Sequence, residues 1–317
     1  MKLENSIVMV TGGAGHIGSH VVDEVLSYFP EKVIIYDNFA EGRESNIVHL
    51  AKDPAVEVVR RDIRDYADLT KVMKGVDYVF HTASILLLEC RDHPDKALDV
   101  NIKGTYNLIR ACVENKVKKV VFSTTGSVYG EPLHLPMDEE HPYNSETFYG
   151  TTKIAGEHLF RDYYRSHGLE YVGLRYFNIY GPRQHYKGAY AQIIPRWVDK
   201  VLYNDLPLVI NGDGTQTMDM TYVTDVARAN ALAVESDVTH DFINVGTGRF
   251  WSILQIKQAL DEAVGRELPV TFIPQDVNLV KRRQCSTEKA EKLLGFKYSV
   301  EMPEGIKKYY EWRQNNI

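Results

Sequence analysis

Short runs of β-branched and other apolar residues recur along the chain at Ile7 to Val10, Lys32 to Tyr36, Val56 to Val59, Tyr78 to His81, Lys119 to Phe122 and Tyr171 to Leu174. Each is short for a helix and reads as a buried strand. Between them, Val21 to Tyr28, Leu69 to Met73, Ala97 to Val113 and Lys153 to Tyr164 carry apolar residues at helical spacing. Strand and helix thus alternate at least five times, the pattern of an α/β protein built on a doubly wound parallel sheet. Past residue 176 the rhythm loosens into turns at Gly181-Pro182, Asn211-Gly212 and Asp213-Gly214, which predicts a second, smaller lobe. Asp241 to Val245 reads as a strand returning to the sheet. The expected division is a sheet domain over residues 1–176, with return segments near 224–246, and a smaller C-terminal lobe taking most of 177–317.

Composition narrows the function classes. With 317 residues, 44% hydrophobic and 25% charged, the chain has the makeup of a globular protein rather than a disordered or collagenous one. A formal charge of −6 leaves no basic field for nucleic acid and no cationic tail for an anionic membrane, so neither is an expected partner. The chain opens Met-Lys-Leu-Glu-Asn without a signal-like apolar stretch, and no apolar run approaches the roughly 20 residues of a membrane span. A soluble, cytoplasmic protein is expected. Cys90, Cys112 and Cys285 are far apart, which suits packing residues in a reducing compartment. His16, His81 and His141 show no ligand spacing with a carboxylate, so no metal is expected.

Directly after the first predicted strand comes Thr11-Gly12-Gly13-Ala14-Gly15-His16-Ile17-Gly18. Glycines here permit a tight turn and bring backbone N–H groups against a diphosphate at the positive end of the following helix. Asp37 closes the second strand about 20 residues further on, completing the fingerprint of a dinucleotide-binding Rossmann sheet. A carboxylate there accepts both hydroxyls of an adenosine ribose and repels a 2′-phosphate, which selects NAD over NADP. Asp37 also reads as a turn or capping carboxylate, and Asp62, at the end of the third strand, either faces an adenine or is an ordinary loop residue.

Tyr149 and Lys153 are four residues apart in an amphipathic stretch, so a helix stacks them on one face. An adjacent ammonium favours the phenolate and lets a tyrosine act as a base near neutral pH. Ser123-Thr124-Thr125 ends the preceding strand, at the sheet edge where ligands bind, and offers a hydroxyl to share the transferred proton.

Together these segments, with Asp99-Val100-Asn101, Gly104-Thr105, Val128-Tyr129-Gly130, Leu174 to Asn178 and Gly181-Pro182-Arg183, resemble the extended short-chain dehydrogenase/reductase family in its UDP-glucose 4-epimerase-like branch. The resemblance covers essentially the whole chain. It implies that Tyr149 removes a hydroxyl proton while a hydride passes to tightly held NAD, that Lys153 hydrogen-bonds the nicotinamide ribose, and that Thr125 bridges the substrate hydroxyl. By the same resemblance Gly12, Gly15, His16, Ile17, Asp37, Asn38, Asp62, Ile63, Ala83, Asn101 and Tyr176 contact NAD, and Asn178 contacts the substrate. The smaller lobe becomes the substrate-binding one. The helices beginning near Asp95 and Tyr149 become the pairing surfaces of a homodimer.

Departures from the family pattern bear on the reaction and the substrate. Dehydratases of the family place an Asp-Glu pair after the catalytic Thr and decarboxylases keep the Glu, whereas this chain has Gly126 and Ser127. Epimerisation, or simple oxidation and reduction, is what such a site supports. A family stretch Gly-Asp-Gly-x-Gln-x-Arg-Asp, whose Arg grips the diphosphate, reads here Gly212-Asp213-Gly214-Thr215-Gln216-Thr217-Met218-Asp219. The second phosphate-binding Arg aligns with Asp276, with Lys281, Arg282 and Arg283 close behind as substitutes, and the aromatic residue often packed on the base is Asn211. Two lost charge-assisted contacts, each roughly 1.5–3 kcal/mol, weaken a UDP-sugar severely unless replaced. Arg183, His185, Tyr186 and Lys187 are either a relocated anion site or a solvated loop. Leu86 to Leu88 are either pocket lining or a helix start packed into the core, and Glu89 either contacts a sugar hydroxyl or is solvated or salt-bridged. The leading expectation is an NAD-dependent epimerase of a sugar nucleotide or related polyol. Its rivals are a dehydrogenase or ketoreductase on a substrate without UDP, and a non-catalytic cofactor-binding scaffold.

Overall fold

The computed structural model describes residues 1–184, 192–274 and 282–316. Seven parallel strands make the central sheet: β1 (Ile7–Thr11), β2 (Lys32–Asp37), β3 (Val56–Arg60), β4 (Tyr78–His81), β5 (Lys119–Thr125), β6 (Tyr171–Tyr176) and, numbered by chain order, β11 (His240–Val245). Their order across the sheet is β11-β6-β5-β4-β1-β2-β3, reversing direction of progression at β1/β4. The doubly wound sheet expected from the alternating pattern is present, with the C-terminal ends of β1, β4 and β5 aligned at that reversal, where open α/β sheets bind ligands.

Helices cover both faces. Helices α1 (His16–Leu26) and α8 (Val223–Glu235) bury Val21, Val22, Val25, Val226 and Ala229 on one face. On the other, α2 (Tyr66–Val72), α5 (Thr105–Glu114) and α6 (Phe148–His167) bury Leu69, Leu108, Ile109 and Phe160. Strand β3 departs from expectation: it is the sheet edge, paired only with β2, and Val58 is 48% exposed, so its apolar run is not a buried strand. The stretch Ala97 to Val113 is also not one helix. After the short helices α3 (Leu87–Asp92) and α4 (Pro94–Ala97), a π-helical turn spans Leu98–Gly104 before α5 begins, and such turns concentrate at functional sites.

Beyond β6, the elements β7 (Ile179–Tyr180), α7 (Ile193–Leu202), β8 (Leu208–Asn211), β9 (Thr217–Met218), β10 (Thr221–Tyr222), β12 (Trp251–Ser252), α9 (Ile253–Val264), β13 (Val270–Ile273) and α11 (Met302–Gln314) enclose a separate apolar cluster around Trp197, Ile210, Ile256, Leu260 and Tyr309. Helix α10 (Glu288–Leu294) returns to the sheet side, where Ala290 and Leu294 join the α1/α8 core with Phe296. All three cysteines are free and buried, as packing residues are. Among the described residues no helix is long and apolar enough to cross a membrane.

Candidate active site

The glycine turn is built by close approach. Gly12 adopts φ +70°, and a Cβ on it would lie 2.8 Å from the backbone nitrogen of Ala83 on the segment after β4. A Cβ on Gly18 would strike the Gly12 carbonyl. These contacts let α1 start directly under the turn, with Gly15 as its N-cap and no side chain capping it. Its first N–H groups, those of His16 and Ile17 included, have no intrahelical acceptor by helix geometry, and the positive end of the helix dipole lies there. The Nε2 of His16 is buried without a hydrogen-bond partner among the described residues.

Asp37 is 6% exposed at the end of β2, its carboxylate accepting from the N–H of Ala14 at 2.9 Å and of Phe39 at 2.7 Å. Burial raises its pKa while those two bonds oppose the shift. It therefore serves as a turn carboxylate that ties the glycine turn to β2. Asn38 donates to Asp62 at 2.8 Å, and Arg64 pairs with Asp62 at 2.8 Å; chiefly that side-chain bond to Arg64 pulls the Asp62 pKa to about 2. An uncapped helix N-terminus, an orphaned imidazole nitrogen, a glycine cradle and an acidic strand end are donors and acceptors that fit the diphosphate and ribose of NAD.

Helix α6 starts where it does because the Thr147 hydroxyl caps it, accepting from Gly150 N–H at 3.1 Å. This places Tyr149 in the first turn and Lys153 one turn on. Lys153 is 3% exposed, donates to the Ser123 carbonyl at 3.0 Å, and holds its ammonium 5.7 Å from the Tyr149 ring centre. Burial lowers the Lys153 pKa to about 8, opposed by Cys90 and Glu157. Tyr149 packs against Ile85, Cys90 and Ala97. Burial raises the phenol's pKa first, Cys90 and Tyr176 add to the rise, and a hydrogen bond with Thr125 opposes it. Tyr149, Lys153 and Thr125 are thus brought together at the carboxyl edge of β5, and in this arrangement desolvation outweighs any help the ammonium gives the phenolate.

Other predicted residues have protein partners. Asn101, 2% exposed in the π-helical turn, accepts from Ile85 N–H at 2.9 Å and donates to the Ile85 carbonyl and to Thr152, both at 3.1 Å, so its amide ties the loop after β4 to α6. Tyr176 is buried with its hydroxyl 3.0 Å from Ser123 and 2.9 Å from the Asn230 amide nitrogen. Ile63 packs against Gly104, where a Cβ would come within 2.6 Å of its side chain. Asn178, at φ +38°, donates to the Asp219 carbonyl at 2.8 Å.

In the smaller lobe, Met218 pairs across β9/β12 with Trp251, and Asn211 lies opposite Ile273. A cavity of about 500 Å³ opens at Gly212, Asp213, Phe272, Ile273 and Pro274, beside the position where Asn211 replaces an aromatic residue. Arg183 is ion-paired with Asp23 at 2.7 Å, so it braces α1 rather than forming a free anion site. Glu89 is salt-bridged to Lys96. Leu86 and Leu87 are 54% and 42% exposed, so of that apolar segment only Ile85 and Cys90 are core. His185, Tyr186, Lys187, Asp276 and Lys281 lie outside the described residues.

Sequence reasoning missed two buried hubs. Glu157 accepts from Thr124 at 2.7 Å, Tyr143 at 2.6 Å and Arg175 at 2.6 Å. Asp219 accepts from Thr247 N–H and hydroxyl at 2.9 and 2.7 Å and from Gly248 N–H at 2.9 Å. The signal available for Glu157 was its spacing of one further turn from Lys153 on the same helix face.

A glycine turn against an uncapped helix, an acidic end on β2 and a hydroxyl, phenol and ammonium meeting at the sheet's carboxyl edge define a dinucleotide-dependent enzyme of the α/β class. The chain belongs to the NAD dependent epimerase/dehydratase family, whose model matches residues 8–246. It is 38% identical to a putative UDP-glucose 4-epimerase of Methanocaldococcus jannaschii over 98% of this chain and 99% of that one. Among solved structures it is similar to a UDP-N-acetylglucosamine 4-epimerase from Methanobrevibacter ruminantium in complex with UDP-N-acetylmuramic acid, with 31% identity, TM-score 0.94 and coverage of 99% and 100% of the two chains. It is also similar to a UDP-glucuronic acid 4-epimerase from Bacillus cereus in complex with UDP-glucuronic acid and NAD, with 31% identity, TM-score 0.90 and coverage of 98% and 100%.

Proposed function

We propose that the protein is an NAD-dependent epimerase of a sugar nucleotide, acting through a transient keto sugar. The observation that carries this reading is the Thr125, Tyr149 and Lys153 set beside Gly126 and Ser127, a site with one acid/base group and none of the extra carboxylates that elimination or decarboxylation requires. Bound NAD would supply the hydride acceptor and donor, and its cationic nicotinamide would favour the phenolate. Tyr149 takes the proton from the sugar hydroxyl at its phenolic oxygen, and Thr125 bridges that oxygen and the substrate. Lys153 holds a fixed positive charge beside the phenol and reaches the nicotinamide ribose. Gly12, Gly15, His16, Ile17, Asp37, Asn38, Asp62, Ile63, Ala83 and Tyr176 form the walls of the cofactor site, Asn101 orients that wall against α6, and Asn178 faces the substrate. The names of the three similar proteins reported above, each naming a UDP-sugar, support a UDP-sugar as substrate. We read the protein as a cytoplasmic homodimer, which its free thiols and the exposed apolar residues Leu98 and Tyr106 support.

The test is to denature purified protein and identify the released cofactor, then to incubate native enzyme with UDP-, GDP-, CDP- and dTDP-sugars while following reduced-nicotinamide absorbance. Stoichiometric NAD, a stereoisomeric product and no net absorbance change are expected. Net reduction with a freely exchanging cofactor overturns the epimerase reading in favour of a dehydrogenase. Tyr149→Phe should lower turnover by about 10²–10⁴-fold while UDP-sugar binding persists; retained turnover overturns the assignment of Tyr149.

A further inference from the structure

We propose that Glu157 is a positioning residue for the reaction: its buried carboxylate fixes, through Thr124, the end of β5 that holds Lys153 and Thr125, and stands as the counter-charge of the Lys153 ammonium. The inference rests on the epimerase reading above for its effect on turnover, and on the contacts between α6 and β5 for the role itself. Glu157 lies one helical turn beyond Lys153 and two beyond Tyr149, so all three share one face of α6. It is 0% exposed. Its Oε1 accepts from the Thr124 hydroxyl at 2.7 Å and from Arg175 Nε at 3.1 Å, and its Oε2 from the Tyr143 hydroxyl and from Arg175 Nη2, each at 2.6 Å. Donors from three elements thus hold both oxygens in one orientation. Thr124 carries that hold to the chemistry, because its neighbours are the two residues the catalytic pair leans on. Lys153 donates to the Ser123 carbonyl at 3.0 Å, and Thr125 hydrogen-bonds Tyr149. Slack at Thr124 moves both contacts, and a displacement of that kind at reacting groups is costly in rate.

The second half of the role is electrostatic. The titratable groups coupled to Lys153 are Tyr149 and Glu157 on α6, Cys90 on α3 and His81 on β4. Behind them, Arg175 on β6 pairs with Glu157, and the Tyr176 hydroxyl lies 3.0 Å from that of Ser123. Burial lowers the His81 pKa to about 3, raises that of Cys90 to about 11 and raises that of Tyr149, so these three are neutral at working pH. Glu157, ion-paired with Arg175 at 2.6 Å, is the member of the set that carries negative charge. Its field opposes the desolvation that lowers the Lys153 pKa to about 8. A buried ion pair adds little to stability over apolar packing of the same volume. A carboxylate one turn from the ammonium adds what apolar packing lacks, a fixed negative potential at Lys153 in a site with little water to screen it.

The experiment pairs a pH titration of carbon-labelled lysine side chains by NMR, with the Lys153 signal assigned by its absence in Lys153→Arg, with pH–rate profiles on a UDP-sugar. Both are run on the NAD-loaded protein for wild type, Glu157→Gln, Glu157→Asp and Thr124→Val. Glu157→Gln should move the Lys153 midpoint, and the alkaline limb of kcat/KM with it, to lower pH by on the order of one unit. Glu157→Asp keeps the charge and should return the midpoint towards wild type. Thr124→Val keeps the ion pair and should lower kcat by about tenfold with KM and the Lys153 midpoint unchanged. An unmoved midpoint in Glu157→Gln, or one moved equally by Glu157→Asp, overturns the counter-charge; kcat within about twofold of wild type in Thr124→Val overturns the positioning. Should Glu157→Gln unfold early, Thr124→Val still reads the contact with the Glu157–Arg175 pair intact, and full turnover there overturns the proposal. Wild type that epimerises no UDP-sugar overturns the epimerase reading and the effect on turnover with it, while the Lys153 titration decides the counter-charge without turnover.

Discussion

Lys153 is the residue at which burial and chemistry meet most directly. Its ammonium is enclosed between the rings of Phe122 and Tyr149, 5.2 and 5.7 Å away, with the Ser123 carbonyl as acceptor. Burial removes the water that would stabilise the charge, and the pKa falls to about 8. Between that value and the ordinary lysine value of about 10.4 the unfolded chain binds the extra proton, so this group's contribution to stability improves as pH rises through that window and is a constant cost below it. Lys119, also lowered to about 8 by burial, titrates in the same window, so a stability profile sums the two groups, whereas the rate profile reads Lys153. Loss of the ammonium removes the positive charge that favours the phenolate of Tyr149. Turnover should therefore fall as pH passes about 8. In Lys153→Arg, where the guanidinium stays charged, the residual activity should lack that alkaline limb. A wild-type profile flat from neutral pH to about 10 contradicts the role given to Lys153.

Helix α6 carries Tyr149, Lys153 and Glu157 on successive turns, and its hold on the sheet is the buried pair Glu157–Arg175, 0% and 2% exposed at 2.6 Å. Arg175 also donates to Tyr129 at 2.8 Å, and Tyr129 to Asn244 at 2.7 Å, so one network joins α6, β6, β11 and the turn after Thr125. Arg175→Leu leaves Glu157 charged and unpaired and should cost about 3–5 kcal/mol in urea unfolding, whereas the double variant with Glu157→Gln should recover a substantial part of that. Equal destabilisation in the single and double variants would show that the packing of Arg175, not its charge, is what matters. This network was not legible in the sequence, because Glu157 and Arg175 are contributed by separate elements and each alone reads as a surface charge. The glycine turn, Asp37 and the Tyr149–Lys153 pair were legible because each acts within one or two consecutive elements. The start of α6 was placed near Tyr149 by the Tyr-x-x-x-Lys pair, one residue inside the observed Phe148, although the apolar periodicity by itself begins only at Lys153 because the first turn's Tyr and Gly residues carry no strong periodic signal. The edge position of β3 and the break of Ala97 to Val113 by a π-helical turn depend on neighbours rather than on local pattern. In the smaller lobe β7, β9, β10 and β12 are two residues each, below what alternation can reveal.

At the scale of the molecule, the sheet is covered on both faces, but the outer surface of the α5/α6 layer keeps apolar side chains in water. Leu98 is 45% exposed, Tyr106 38% and Phe148 38%, and Tyr106 meets Tyr163 of α6 edge-on at 6.2 Å between ring centres. Large exposed aromatic and aliphatic side chains gathered on neighbouring helices are what a two-fold interface buries, because the same patch serves both partners. Such an interface presents each introduced charge twice, close to its own symmetry copy. Tyr106→Glu should therefore convert a dimer to a monomer in sedimentation velocity at micromolar concentration, with far-ultraviolet circular dichroism unchanged. The active site stands on the inner side of the same α6, where Lys153 is fixed by Ser123 and Asn101 by Ile85 and Thr152 within one chain. The monomeric variant should consequently keep UDP-sugar binding and lose turnover only as far as α6 loosens at its outer face. A wild-type protein that sediments as a monomer at that concentration removes the dimer from the proposed function and leaves the chemistry of the site untouched.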